Sequence, residues 1–302
     1  PDWNEAQRLD DSIALIPSAL ALSDATTITI STVPGTYRPF GPTRCDPAVI
    51  AAAFGRWAAA AARAERDHGR RVVLCPEPEP WCLLETSHDA VAFWQGPLAE
   101  YGLAAAAEGL DGDRAIAADA LRRHLGICFD TCHISLAFED QVEAVARLRA
   151  AGVPIAKVQV SAAPEVRRPA EDADGLAALR ALHEPRFLHQ TAARSASGSV
   201  VKVEDLDQVD DLLARLPHAA AVRSHFHIPL FKAPQDHGLS TTIGDSLAAL
   251  RAILKQPSGA EAPHVAVETY TWSVLADKEG DPLAGTVREL GFLRGAIDGL
   301  GA

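Results

Sequence analysis

The sequence predicts an α/β fold of the (β/α)8 barrel type, and three observations lead there. Short β-branched or apolar runs alternate with helix-period segments about six times, the order that builds a parallel sheet. Neither a GxGxxG nor a P-loop motif occurs, which makes a doubly wound nucleotide-binding sheet the weaker alternative. Ligand-type residues recur at the ends of strand after strand, and barrel sites draw on many strands at their carboxyl face.

Taken in order, residues 4–22 read as a helix with an apolar stripe of Ile13, Leu15, Ile16, Leu20 and Leu22. Residues 26–31 are β-branched and read as a strand. A Pro/Gly-rich loop over 37–44 leads to Asp46-Pro47, a cap residue with proline at the first helical position, and that helix runs to Gly69. Residues 71–75 form the second strand. Its exit, Pro76-Glu77-Pro78-Glu79-Pro80, is rigid and extended, because alternating prolines cannot join a sheet interior. Residues 86–108, broken near Gly96-Pro97, and 113–124 read as helices around the approach to the third strand, 125–131. A helix over 139–151 stops at Gly152 and Pro154. The fourth strand spans 155–161, with Lys157, Gln159 and Ser161 on one face. A helix over 172–182, an extended stretch at 186–191, a flexible loop at 195–199 and a helix over 205–216 follow. The fifth strand, 221–228, puts Arg223, His225 and His227 on one face. Helix 241–255, strand 264–270 with Glu268, and helix 283–300 complete the chain. No linker breaks it, so one domain over 1–302 is expected.

Composition narrows the function. The 302 residues are 48% hydrophobic, enough for a sizeable core, and the formal net charge is -12. A nucleic-acid-binding surface is basic, so nucleic acid is not the expected partner; a small-molecule metabolite or sugar phosphate is. With no apolar run of transmembrane length and no basic-then-apolar leader, the expected location is cytoplasmic, with no membrane segment; a homo-oligomer is left open. Five cysteines without a CxxC pattern read as reduced, buried thiols. The chain lacks methionine and begins on Pro1-Asp2-Trp3, which reads as mid-protein sequence.

The chemistry centres on Gly126-Ile127-Cys128-Phe129-Asp130-Thr131-Cys132-His133. Asp130 falls at the carboxyl end of a strand and His133 on the turn after it, so the two can converge. Taken alone, Asp130 could simply cap the next helix. Glu77 and Glu79 after the second strand, His225 and His227 on the fifth and Glu268 on the last make a shared divalent-metal site the better reading. Carboxylates with imidazoles suit Mn²⁺, Zn²⁺, Fe²⁺ or Mg²⁺. Glu268 stands in the apolar run Val265-Ala266-Val267, where an unpaired carboxylate would cost several kcal/mol.

Glu after one strand, Asp-x-x-His after the next, a late His and a final Glu resemble the xylose-isomerase-like barrels, a superfamily of sugar isomerases, epimerases and apurinic endonucleases. More closely, Ser31-Thr32-Val33-Pro34, residues 77–86, Asp130-Thr131-Cys132-His133, His225-Phe226-His227-Ile228-Pro229 and Val267-Glu268-Thr269-Tyr270-Thr271-Trp272 resemble the EboE family of metabolite-traffic operons. The resemblance implies that the first two barrel strands precede Pro1, in roughly 80–100 further residues by barrel size. It implies Glu77, Asp130, His225 or His227, and Glu268 as metal ligands. Glu77 or Glu268 is then the proton-abstracting base, and His133 and Lys157 position or polarise substrate oxygens. Gln159 stands where many relatives place a histidine. The implied activity is isomerase or epimerase chemistry on a small hydroxycarbonyl metabolite; the alternatives are a metal-dependent phosphoester hydrolase and a non-catalytic metabolite carrier.

Overall fold

The computed structural model describes residues 1–231, 239–255, 261–269, 271 and 281–299. Tyr270 and Trp272 of the last motif, and Leu300 at the end of the expected final helix, lie outside them. Contacts divide the chain into two compact units. The first holds Pro1–Phe129, Ala144–Val158 and the described residues up to His264. The second holds Asp130–Glu143, the described residues from Gln159 to Lys255, and those from Val265 onward.

In the first unit, helix α1 (Ala6–Leu22) leads to strand β1 (Thr27–Thr32), and helix α2 (Pro47–His68) to β2 (Arg71–Pro76). Asp46 caps α2 by accepting the Ala48 amide at 2.9 Å, and Gly69 ends it in the left-handed conformation, φ 67°. β1 and β2 pair in parallel from Thr27 opposite Arg71 to Thr32 opposite Pro76. A parallel bridge joins Leu74 to Leu125, and the Ile127 amide donates to the Pro154 carbonyl at 2.8 Å. Strands β3 (Ile127–Asp130) and β4 (Ile155–Val160) therefore follow β2 in order. This is the in-order β/α winding the sequence predicts.

The amino ends of these four strands, at Thr27, Arg71, Leu125 and Ile155, line one cavity together with His264. Trp3, Ile50, Phe54, Trp57, Leu74 and Leu98 make the core between sheet and helices. The break expected at Gly96-Pro97 is a π-helical stretch, Trp94–Gly102, between helices α3 (Ser87–Phe93) and α4 (Leu103–Glu108), and α5 (Arg114–His124) follows. Pro97 has no amide to continue the α-pattern, and the wider turn absorbs it.

That stretch crosses α2 backbone to backbone. A Cβ on Gly55 would lie 2.1 Å from the Gly102 carbonyl oxygen. Gly55→Ala should therefore cost about 3 kcal/mol, the upper end for overpacking, because backbone rather than a movable side chain must give way. Urea unfolding measures it; a cost below about 1 kcal/mol would mean the two helices separate easily.

The second unit departs from expectation. A five-stranded sheet, ordered β7-β6-β8-β5-β9, is built from β5 (Pro164–Arg167), β6 (Thr191–Ser195), β7 (Val200–Val203), β8 (Ala219–Ser224) and β9 (Ser240–Thr241). Its ladders are antiparallel. The expected loop at 195–199 is the turn of the β6–β7 hairpin, and the short strands β5, β7 and β9 escaped sequence reading. The fifth expected strand, 221–228, stops at Ser224. His225 N–H turns to the Gln190 carbonyl at 2.8 Å and Ile228 N–H to the Ala162 carbonyl at 2.9 Å, which takes the segment off the ladder.

The last strand, β10 (His264–Val267), neighbours β4, with β8 in the other sheet. Among the described residues no closed barrel forms. What holds is an α/β fold with parallel pairing. No described helix is long and apolar enough to cross a membrane. The cysteines are free, all buried but the half-buried Cys45, and burial pushes the Cys75 thiol up to about 12.

Candidate metal centre

Strand β3 ends on Asp130, which is also the cap of the six-residue helix α6 (Thr131–Leu136). The capping role and the site role fall on one carboxylate. Its Oδ1 accepts the amides of Cys132 and His133 at 2.8 and 2.9 Å and the Ser161 hydroxyl at 2.8 Å. Asp130 is 1% exposed. Burial alone would raise its pKa; the electrostatic influence of the neighbouring His133 and His227 rings, with the amide and hydroxyl donors, outweighs that and holds it below the usual carboxylate value.

Three imidazoles face one another in this second unit. The rings of His133 and His225 have centroids 4.6 Å apart, His225 and His227 5.4 Å, and His133 and His227 5.7 Å. All three are buried. One ring nitrogen from each lies within 4.8 Å of the others. A second group, equally close, joins a carboxylate oxygen of Asp130, Cys132 Sγ and a ring nitrogen of His227.

Hydrogen bonds fix the tautomers. His227 Nδ1 contacts the backbone carbonyl of Glu268 at 2.9 Å, and a carbonyl only accepts, so Nδ1 carries the proton. His225 Nδ1 is 2.7 Å from Gln190 Oε1 and by the same logic donates. The Nε2 atoms of both rings then present lone pairs. His133 Nε2 lies 3.0 Å from His225 Nε2, a contact that needs a proton, or a cation, between two nitrogens. Burial first, then mutual repulsion among the histidines, pushes His225 well below its ordinary value. Burial likewise pushes His227 down to about 4, against the pull of Asp130. Neutral rings, each oriented through its other nitrogen, are what a metal ligand requires.

The residues therefore fit a divalent cation. Buried imidazole nitrogens with one carboxylate suit zinc or iron better than magnesium, which prefers oxygen alone.

Glu268 lies just beyond β10. Its amide donates to the Val160 carbonyl at 3.3 Å, and its carboxylate accepts from Gln159 Nε2. The side chain is half-buried rather than sealed in an apolar run. Thus Asp130, His133, His225, His227 and Glu268 all belong to the second unit. His133, expected to position substrate, itself lies among the clustered imidazoles. Glu77 and Lys157 belong to the first unit. There the Glu77 amide donates to the Thr32 carbonyl at 3.0 Å and Lys157 Nζ to Ser31 Oγ at 2.7 Å. Arg223, on the predicted face with the histidines, instead pairs with Glu165 at 2.7 Å and donates to the Ser135 carbonyl.

Sequence reading missed Cys132 beside Asp130 and His227, Ser161 as the partner of Asp130 and Gln190 as the partner of His225. Each acts through a contact between distant segments, which spacing does not reveal. No protein-family model matches the chain, and comparison with curated proteins returns no match.

Proposed function

We propose that this is a divalent-metal enzyme that interconverts a small hydroxycarbonyl metabolite, a sugar or sugar phosphate, by moving a proton next to a carbonyl. The observation that carries the reading is the convergence of three buried imidazoles beside a buried carboxylate, with a second, half-buried carboxylate on Glu268. The in-order strands β1 to β4, and Asp-x-x-His at the carboxyl end of β3, support the likeness to xylose-isomerase-like barrels. A cation held by Asp130, His133, His225 and His227 would supply, when bound, a Lewis acid for a substrate oxygen. Glu268 takes the proton from carbon and returns it. Gln159 Nε2 orients that carboxylate. Ser161 keeps Asp130 in place, and Gln190 and the Glu268 carbonyl hold the ring tautomers that leave Nε2 lone pairs inward.

One observation favours a second reading. An imidazole-rich donor set is also suited to activating water, so hydrolysis of a phosphoester is the alternative.

A single experiment separates these. Zinc- or iron-loaded protein is incubated in D₂O with ketoses, aldoses and their phosphates. Deuterium should enter one carbon of the true substrate, with product formed in the same sample, and Glu268→Gln should lower both at least ~100-fold, the lower range for a general base. Glu77→Gln in the same assay asks whether the family likeness extends to that residue. Phosphate release without exchange would support the hydrolase, and tight binding without turnover a carrier.

A further inference from the structure

We infer that Cys132 is a ligand of the cation in this site and that the resident ion is therefore thiophilic, of the zinc class. The inference rests on the metal reading above and decides which ion the site takes.

Cys132 Sγ, an Asp130 oxygen and a His227 nitrogen lie within 4.8 Å of one another, and all three residues are at most 1% exposed. His227 belongs to both close groups, the one with Cys132 and the one with the other histidines. Its Nδ1 is committed to the Glu268 carbonyl. Only Nε2 remains, and one lone pair binds one ion. An ion bound at that nitrogen would lie beside both groups, the arrangement in which Cys132 and the histidines serve one cation.

The backbone that carries the sulfur is held in place. The Cys132 amide donates to Asp130 Oδ1 at 2.8 Å and to Ser161 Oγ at 3.0 Å. These bonds pin the backbone of the first turn of α6, which carries Cys132. Charge also balances. Asp130 and a Cys132 thiolate together carry two negative charges, which matches a divalent ion. On binding, the S–H bond breaks, the sulfur–metal bond forms and the proton leaves to solvent. Sulfur is a soft donor that favours zinc, cobalt or cadmium over magnesium and manganese.

A thiol that only fills space beside Leu136 and Ala163 is the competing account. Cobalt(II) tells the two apart. The full chain, stripped with chelator, is reloaded with Co²⁺, and bound metal and absorption are measured together. Wild type should bind one ion with a sulfur-to-cobalt charge-transfer band of one-thiolate intensity. Cys132→Ser and Cys132→Ala should still bind cobalt through the histidines, lose that band, and bind zinc at least ~100-fold more weakly. Cobalt bound by wild type without the band overturns the Cys132 assignment and leaves the histidine site standing. A band that survives in both variants overturns it as well. Wild type that binds no cobalt overturns both readings. The wild-type spectrum decides even where a variant fails to fold.

Discussion

Asp130→Ala should lower the folding free energy by about 3–5 kcal/mol, measured by urea unfolding of chelator-treated protein. The carboxylate is buried and accepts from the Cys132 and His133 amides and the Ser161 hydroxyl. Alanine leaves buried donors without an acceptor, each at about 1–3 kcal/mol, and removes the cap of α6, about 1 kcal/mol. These costs overlap, since the same amides are counted in both, so they do not simply add. Asp130→Asn keeps an acceptor oxygen in nearly the same place. It should recover much of the stability, while metal content stays low because the charge is gone. A loss under 1 kcal/mol for alanine would mean that α6 does not depend on this carboxylate.

Acid should weaken the metal-stripped protein between pH 6.5 and about 4, by on the order of 3 kcal/mol from His227 alone. The sign follows from proton counts. An unfolded imidazole takes up its proton near pH 6.5, whereas folded His227 stays neutral until about 4. In that window the unfolded chain binds more protons, so stability falls as pH falls. His225 is shifted the same way, and Asp130, held below its ordinary value, extends the loss to still lower pH. Urea midpoints at a series of pH values record the slope. His227→Asn retains a donor for the Glu268 carbonyl and has nothing to titrate in this range, so its slope should be shallower. Identical slopes in the two proteins would show that His227 is not buried in its neutral form.

The helices and the first four strands were legible in the sequence because local signals mark them. Asp46-Pro47 opens α2, Gly69 closes it, and β-branched Thr27 to Ile30 can do little but extend. Asp130, His225 and His227 were legible as candidate ligands for a related reason: strand ends expose their last polar residue toward whatever lies beyond the sheet. The second unit was not legible, because its strands are short and antiparallel, and their partners lie up to tens of residues away. Alternation alone cannot tell a strand that continues a parallel sheet from one recruited to another. At 221–228 the alternating pattern was real, but backbone bonds from His225 to Gln190 and from Ile228 to Ala162 ended the strand at Ser224.

By itself, the sequence determined which residue types could bind a cation and that they sit at strand ends. Tertiary structure decided which of them meet. It brought His133 into the cluster with His225 and His227, and Cys132 beside Asp130 and His227. It also assigned ring protons through Gln190 and a backbone carbonyl. Coordination depends on distances of a few ångströms between segments about a hundred residues apart, and only the packed chain sets those distances.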